Sequence, residues 1–209
     1  MEASSNLNRM TAKIAAGDLV VGTVVNSTDP GITELLATCG YDFIWIDTEH
    51  APNGVREVSA HIVAARAYGV APVVRVPWND PVRIKPILEM GPAAVVIPFV
   101  NSAEEAQQAV AACRYPPEGV RGFGPTRANN YGADPLEGYL KRAAIEPWII
   151  LQIEHIDAVR NLAEICAVAG IGSLLVGPFD LSASMGLAGQ VTHPDVAAQL
   201  DSVARVARE

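Results

Sequence analysis

Cysteine is scarce: three residues (Cys39, Cys113, Cys166) in a chain of 209. Their number is odd, they stand far apart, and no C-x-x-C occurs, which argues against a disulfide framework and a cysteine zinc site alike. No apolar run approaches the ~20 residues needed to span a bilayer. The first residues, MEASSNLNRM, are polar and hold no signal-peptide core. Positive charge is also short, with 15 Lys and Arg against 23 Asp and Glu, a net charge of -8. That balance gives no electrostatic case for nucleic acid or an anionic membrane surface. The first apolar run is not followed by a glycine-rich dinucleotide fingerprint; Val25–Pro30 reads VNSTDP. What is present is a globular composition, 50% hydrophobic and 18% charged, long enough for one domain with a sizeable core. The expectation is a soluble, cytoplasmic enzyme.

Apolar, β-branched runs alternate with stretches of helical period. The runs are Leu19–Val25, Phe43–Asp47, Pro72–Val76, Ala94–Phe99, Ile149–Glu154 and Ser173–Val176. Near-continuous apolarity predicts parallel strands covered on both faces. Asp29-Pro30, Asp80-Pro81 and Asp134-Pro135 place a capping carboxylate before a first-turn proline. Ser102–Glu105 has capping-box spacing, and Gly40, Gly69, Gly91 and Gly170 stand where helices stop. A last helical pattern covers Val196–Arg208. The βα rhythm means either a closed (β/α)8 barrel or an open doubly wound sheet. The missing fingerprint and the polar residues recurring at strand ends favour the barrel. Arg114–Gly132, rich in Gly, Pro, Asn and Arg, predicts a functional or mobile loop, with Val120–Phe123 as a short extra strand.

The strand ends hold the candidate chemistry. Phe43–Asp47 leads into Asp47, Glu49 and His50, a carboxylate-tuned general base or else a helix-capping Asp and a solvated His. Arg75 lies in an apolar run, where a guanidinium needs an anionic ligand or a structural ion pair. Glu89 is a candidate partner for it, or part of a water network. Glu154 and Asp180 end neighbouring strands, the pattern that holds Mg2+, Mn2+ or Co2+ with water and substrate oxygens, or else two helix caps. Gly177-Pro178 suggests close backbone approach to a ligand. Among the other histidines, His61 reads as a helix residue filling core or surface, His155 as a neighbour supporting Glu154, and His193 as a helix entry. The Met, Trp and Cys side chains read as core. No strand end offers a lysine, since Lys13, Lys85 and Lys141 lie in helical or terminal stretches. That favours metal over imine catalysis.

Five segments together, IDTEHAPN (46–53), PVVRVPWNDP (72–81), RYPPEGVRGFGPTRANNYG (114–132), LQIE (151–154) and VGPFDLSASMG (176–186), resemble the HpcH/HpaI aldolases. These are metal-dependent class II pyruvate aldolases of the phosphoenolpyruvate/pyruvate superfamily. The resemblance runs from about Leu19 to Val206. It implies a (β/α)8 TIM-type barrel, here ending before its last βα units, that reversibly cleaves 4-hydroxy-2-oxo acids to pyruvate and an aldehyde. It places Glu154 and Asp180 on the metal ligands, Arg75 on the arginine that steadies the enolate oxygen, and His50 on the acid–base histidine. Asp47 and Glu89 fall on carboxylates supporting that histidine. The backbone at Gly177, Pro178 and Phe179 falls on the wall receiving the pyruvate carboxylate, with Gln152 near the metal. The resemblance further implies a homo-oligomer, a hexamer; the Gly122–Gly132 loop, with Arg127, is a candidate for aldehyde choice across a subunit interface. Oxaloacetate decarboxylation on the same core, a catalytically silent truncated paralogue and an open-sheet nucleotide binder are the competing readings.

Overall fold

The computed structural model describes residues 6–208. Helix α1 (Asn6–Ala15) leads into β1 (Gly22–Val25), α2 (Pro30–Ala37), β2 (Phe43–Asp47), α3 (Val55–Ala67), β3 (Ala71–Arg75), α4 (Pro81–Glu89), β4 (Ala94–Ile97) and α5 (Ala103–Cys113). After a 3-10 turn at Arg127–Gly132 come α6 (Leu136–Ala143), β5 (Trp148–Ile153), α7 (Ile156–Arg160), α8 (Leu162–Cys166), β6 (Ser173–Val176), α9 (Pro178–Ser184) and α10 (Pro194–Val206).

The six strands form one parallel sheet in chain order, β1-β2-β3-β4-β5-β6. A doubly wound sheet reverses its strand order at a switch point, so the consecutive order removes that alternative. Among the described residues β1 and β6 each pair with a single neighbour. The result is a curled, open arc of six strands with helices on its outer side.

The pleat divides the chain into two cores, because successive strand residues point to opposite faces. Ile44, Ile46, Val74, Val95, Ile97, Ile149, Leu151 and Ile153 face outward and pack under the helices. Phe43, Trp45, Val73, Val96, Trp148, Ile150 and Leu175 face the concave side, where Met10 of α1 joins them. The polar residues at the strand ends continue the inward phase: Asp47 follows Trp45, Arg75 follows Val73, and Gln152 and Glu154 follow Ile150.

Most local signals act as expected. Asp29 and Asp80 accept from the backbone N–H of Gly31 and Val82, and Ser102 from Glu105, capping α2, α4 and α5. Gly40 (φ 86°) and Gly69 (φ 72°) take the left-handed backbone that stops α2 and α3. Asp134 departs from expectation. Its carboxylate is drawn to Arg142 Nη2 at 2.5 Å, and Pro135 occupies the cap position of α6. Val120–Phe123 forms no strand: Val120 and Arg121 donate their backbone N–H groups to Ala111 O and Arg114 O, which ties the segment to the end of α5 rather than to the sheet.

Candidate active site

Parallel βα connectivity brings the C-terminal ends of all six strands to one rim, and the helices return the chain to the other. At that rim Asp47 and Arg75 are direct partners in the β2–β3 register. Arg75 Nε donates to Asp47 Oδ1 at 2.9 Å and Nη2 to Oδ2 at 2.7 Å, a two-pronged buried pair. Its remaining nitrogen, Nη1, reaches Glu49 Oε2 at 2.9 Å. The guanidinium also lies over the Trp45 ring, 5.1 Å from its centroid. A planar fork fixed on three sides cannot swing, so its positive charge is set in place before any ligand arrives. The arginine's partners are thus Asp47 and Glu49, not Glu89.

Asp47 does not cap a helix. Its Oδ1 accepts the backbone N–H of Glu49 at 3.0 Å and of His50 at 3.4 Å, closing a tight turn after β2. Burial works to raise its pKa, but Arg75 and these N–H groups outweigh burial and hold the carboxyl below its ordinary range. Glu49 responds in the opposite sense: burial pushes its carboxyl up against the pull of Arg75. His50 extends toward solvent, its side chain 60% exposed and its Nε2 4.0 Å from Glu49 Oε2.

Glu154 is 1% exposed. Its Oε1 accepts the backbone N–H of Phe99 at 2.8 Å, and its Oε2 accepts the side-chain amide of Gln152. Burial pushes its carboxyl up to about 7 despite those donors, and the nearby charges of Glu49 and Asp180 add to the shift. Neither Glu154 nor Asp180 is a helix cap: His155 precedes α7, Gly177 precedes α9, and Asp180 sits in the first turn of α9. A Cβ built on Gly177 would stand 2.6 Å from Glu154 Oε2 and 3.1 Å from Gln152 Nε2. Only glycine lets the chain pass this close to the carboxylate.

One cavity of about 480 Å3 is walled by Trp45, His50, Arg75, Gln152, Gly177, Pro178, Phe179 and Asp180 together with Leu175 and Val176, with Glu154 directly behind Gln152 and Gly177. Among the described residues, no three His, Cys, Asp or Glu side chains form a ready metal cage. The donor set nonetheless suits a hard divalent cation. Glu154 is a carboxylate whose upward shift the nearby Asp180 charge increases, and Gln152 Oε1 is buried there without a partner. Mg2+ and its analogues are held by one or two such carboxylates, with water and ligand oxygens filling the remaining positions.

Several expectations fail here. Glu89 ends α4, the helix that runs back from the rim, so it lies at the opposite end of the sheet from His50. There it binds Arg121 Nη2 at 3.1 Å. The 114–132 segment follows α5 to that same far end, and none of it lines the cavity. His155 does not support Glu154; its Nδ1 accepts from Asp157 N and its side chain is 37% exposed. His193 caps α10 likewise through Asp195 N, as a helix entry should. His61 is core, fully buried with Nδ1 2.7 Å from Thr33 Oγ1. Cys39 and Cys166 are exposed; only Cys113 is a buried thiol, pushed up to about 12 by burial. Trp78 is 54% exposed and is not core.

Three site features lay beyond the sequence-based roles. Glu49 is a second carboxylate on Arg75, signalled only by its two-residue spacing from Asp47. Trp45 Nε1 is buried without a partner on the cavity wall. Phe99 carries a positive φ of 52°, a backbone that costs a side-chain-bearing residue about 1–2 kcal/mol.

Comparison with known proteins agrees with this geometry. The family described as HpcH/HpaI aldolase/citrate lyase matches residues 21–209. The chain is 44% identical over 201 residues to a hydroxypyruvate/pyruvate aldolase of Sagittula stellata, covering 95% of this chain and 79% of that protein. It is 40% identical over 202 residues to a 4-hydroxy-2-oxo-heptane-1,7-dioate aldolase of Escherichia coli, covering 97% and 77%. The crystal structure of a HpcH/HpaI aldolase/citrate lyase family protein from Burkholderia cenocepacia J2315 superposes with a TM-score of 0.89 at 32% identity, over 96% of this chain and 80% of that one. With family and fold coinciding over nearly its whole length, the chain belongs to the HpcH/HpaI aldolase/citrate lyase family.

Proposed function

We propose that this chain is a class II, metal-dependent pyruvate aldolase, a carbon–carbon lyase that splits 4-hydroxy-2-oxo acids into pyruvate and an aldehyde and runs the condensation in reverse. The observation that carries the reading is one cavity lined by a rigid Arg75 cation and by Asp180, with the buried Glu154 carboxylate directly behind its Gln152 and Gly177 wall. Cleavage beta to a carbonyl leaves an enolate, so fixed positive charge is needed where the oxyanion forms. A divalent cation (Mg2+, Mn2+ or Co2+) held by Glu154 and Asp180 supplies Lewis-acid polarisation of the 2-oxo group.

The protein groups do the rest. Arg75, immobilised by Asp47 and Glu49, shares the developing enolate oxygen. His50 takes the proton from the 4-hydroxyl; the C3–C4 bond breaks, its electron pair enters the enolate, and the aldehyde leaves. Return of a proton to C3 completes pyruvate. Gly177, Pro178 and Phe179 wall the side that receives the substrate carboxylate, and Gln152 orients Glu154 from within.

The experiment is pyruvate release from a racemic 4-hydroxy-2-oxo acid, first with EDTA and then with Mg2+, Mn2+ or Co2+ restored. Release that EDTA stops and a metal restores is expected, and Asp180→Ala is expected to abolish it. Metal-independent release, or an Asp180→Ala protein with an unchanged metal response, would sink the reading.

Two further parts of the proposal concern architecture. The six-stranded arc is the larger part of a (β/α)8 barrel, supported by its consecutive strand order and by relatives of which it covers 77–79%. Glu89 supports His50 only if a second copy brings its far end to this rim, which requires a homo-oligomer, a hexamer in the family's manner. Light scattering on active protein tests this; a fully active monomer excludes the role for Glu89. Among the described residues no helix is long and apolar enough to cross a membrane, in keeping with a cytoplasmic setting for small-molecule chemistry.

A further inference from the structure

Among the described residues three non-glycine positions have positive φ. Asn130 and Tyr131 share the far-end turn, and Phe99 alone lies at the rim. Glycine takes this backbone at little cost, and a bulky side chain does so only when its surroundings impose it. The surroundings here are specific. The β4 ladder ends at Ile97, and the left-handed turn takes the Phe99 N–H out of the ladder direction and onto Glu154 Oε1 at 2.8 Å. Asn101 Nδ2 donates to Phe99 O at 3.2 Å, and Asn161 Nδ2 in turn donates to Asn101 O at 2.8 Å. The Phe99 ring packs on Trp78, with centroids 5.5 Å apart and planes tilted by 32°.

We propose that Phe99 is a positioning residue for the metal site: its left-handed backbone aims an N–H at Glu154, and the Trp78 ring and Asn101 hold it in that conformation. The proposal rests on reading Glu154 as a metal ligand. With Phe99 N–H on Oε1 and the Gln152 amide on Oε2, each carboxylate oxygen has one donor, which fixes the plane of the carboxylate and leaves both oxygens able to meet a cation. Groups that orient a ligand in this way commonly change metal affinity 10- to 100-fold when altered.

The test is Mn2+ binding to the full chain, followed through the EPR signal of free Mn2+ at a temperature where circular dichroism shows every variant folded. Phe99→Gly removes the ring and keeps the backbone, and is expected to bind within about threefold of the parent. Phe99→Val puts a β-branched residue where φ is positive and is expected to weaken binding about 10-fold or more. Trp78→Ala is expected to weaken binding in the parent but not beside Phe99→Gly, since glycine needs no brace. Parent-like binding by Phe99→Val overturns the proposal, as does a loss in Phe99→Gly equal to that in Phe99→Val. Should Phe99→Val not fold, the Trp78→Ala pair decides: an equal effect in both backgrounds overturns it. Glu154→Gln separates the two readings. If that variant keeps full Mn2+ affinity, the ligand role of Glu154 fails and Phe99 falls with it; if it loses affinity while Phe99→Val does not, only the role of Phe99 fails.

Discussion

Glutamine in place of Glu154 is expected to give a protein that is more stable than the parent at pH 8 in EDTA and inactive with any metal. The Glu154 carboxyl is held up at about 7 by burial, with the charges of Glu49 and Asp180 adding, whereas an unfolded glutamate titrates near 4.3. The folded state therefore binds this proton more tightly than the unfolded state. The resulting stability is fully present below about pH 4 and is lost as pH rises toward 7. At pH 8 the metal-free fold carries a buried charge costing up to about 3 kcal/mol. In a chain of this size that is roughly 5–10 °C in Tm. Glutamine removes the charge and keeps the shape; its amide N–H2 can meet the orphaned Gln152 Oε1 after that side chain flips. Tm measured from pH 5 to pH 8 in EDTA should fall for the parent and stay flatter for the variant, and added Mg2+ should raise only the parent. Parallel pH profiles would contradict the account of Glu154.

Removing Arg75 should act in the opposite direction on stability. Arg75→Ala takes the shared guanidinium from the buried Asp47 and the largely covered Glu49 beside it. Breaking such a pair from one side typically costs about 3–5 kcal/mol, or roughly 10 °C in Tm here. Turnover should fall about 100- to 1,000-fold, as when a fixed oxyanion partner is lost, while metal affinity changes far less. Adding Asp47→Asn to Arg75→Ala should recover part of the stability, because one stranded charge is gone, and none of the turnover. Urea unfolding and kcat on the same samples measure both. Loss of metal binding with turnover preserved would contradict the role given to Arg75.

The fold was legible wherever a signal is local and repeated. The period-two inward phase, the Asp-Pro caps of α2 and α4 and the stopping glycines are each decided within a few residues, and the strands form within three residues of where the sequence places them, β2 and β6 at the same bounds. The site was legible to the extent that chemistry sits on strands or just beyond their ends, so Asp47, Arg75 and Gln152 on strands, Glu154 just past β5 and Asp180 in the first turn of α9 all reach one rim. Glu89 shows what the resemblance obscured, since a helix following a parallel strand must run back, and a residue at its end lies away from the mouth. Phe99 was invisible for a different reason. A positive φ on phenylalanine has no compositional signature, and the groups that contact Phe99 there include Trp78 and Glu154 from distant parts of the chain. Asp134 failed as a cap because Arg142, eight residues on, competed for it, a contest no window of local propensity contains.

The alternation along β5 sets how this protein can vary. Ile149, Leu151 and Ile153 face the helices, while Ile150, Gln152 and, just past the strand, Glu154 continue the concave-side phase. The two sets are interleaved letters of one word. A single-residue insertion or deletion within the strand would exchange them, sending Glu154 under the helices and an isoleucine into the site. Such strands can accept substitutions at either set separately but almost no change of length. The 114–132 segment, in contrast, hangs from the opposite end, where added residues shift no register.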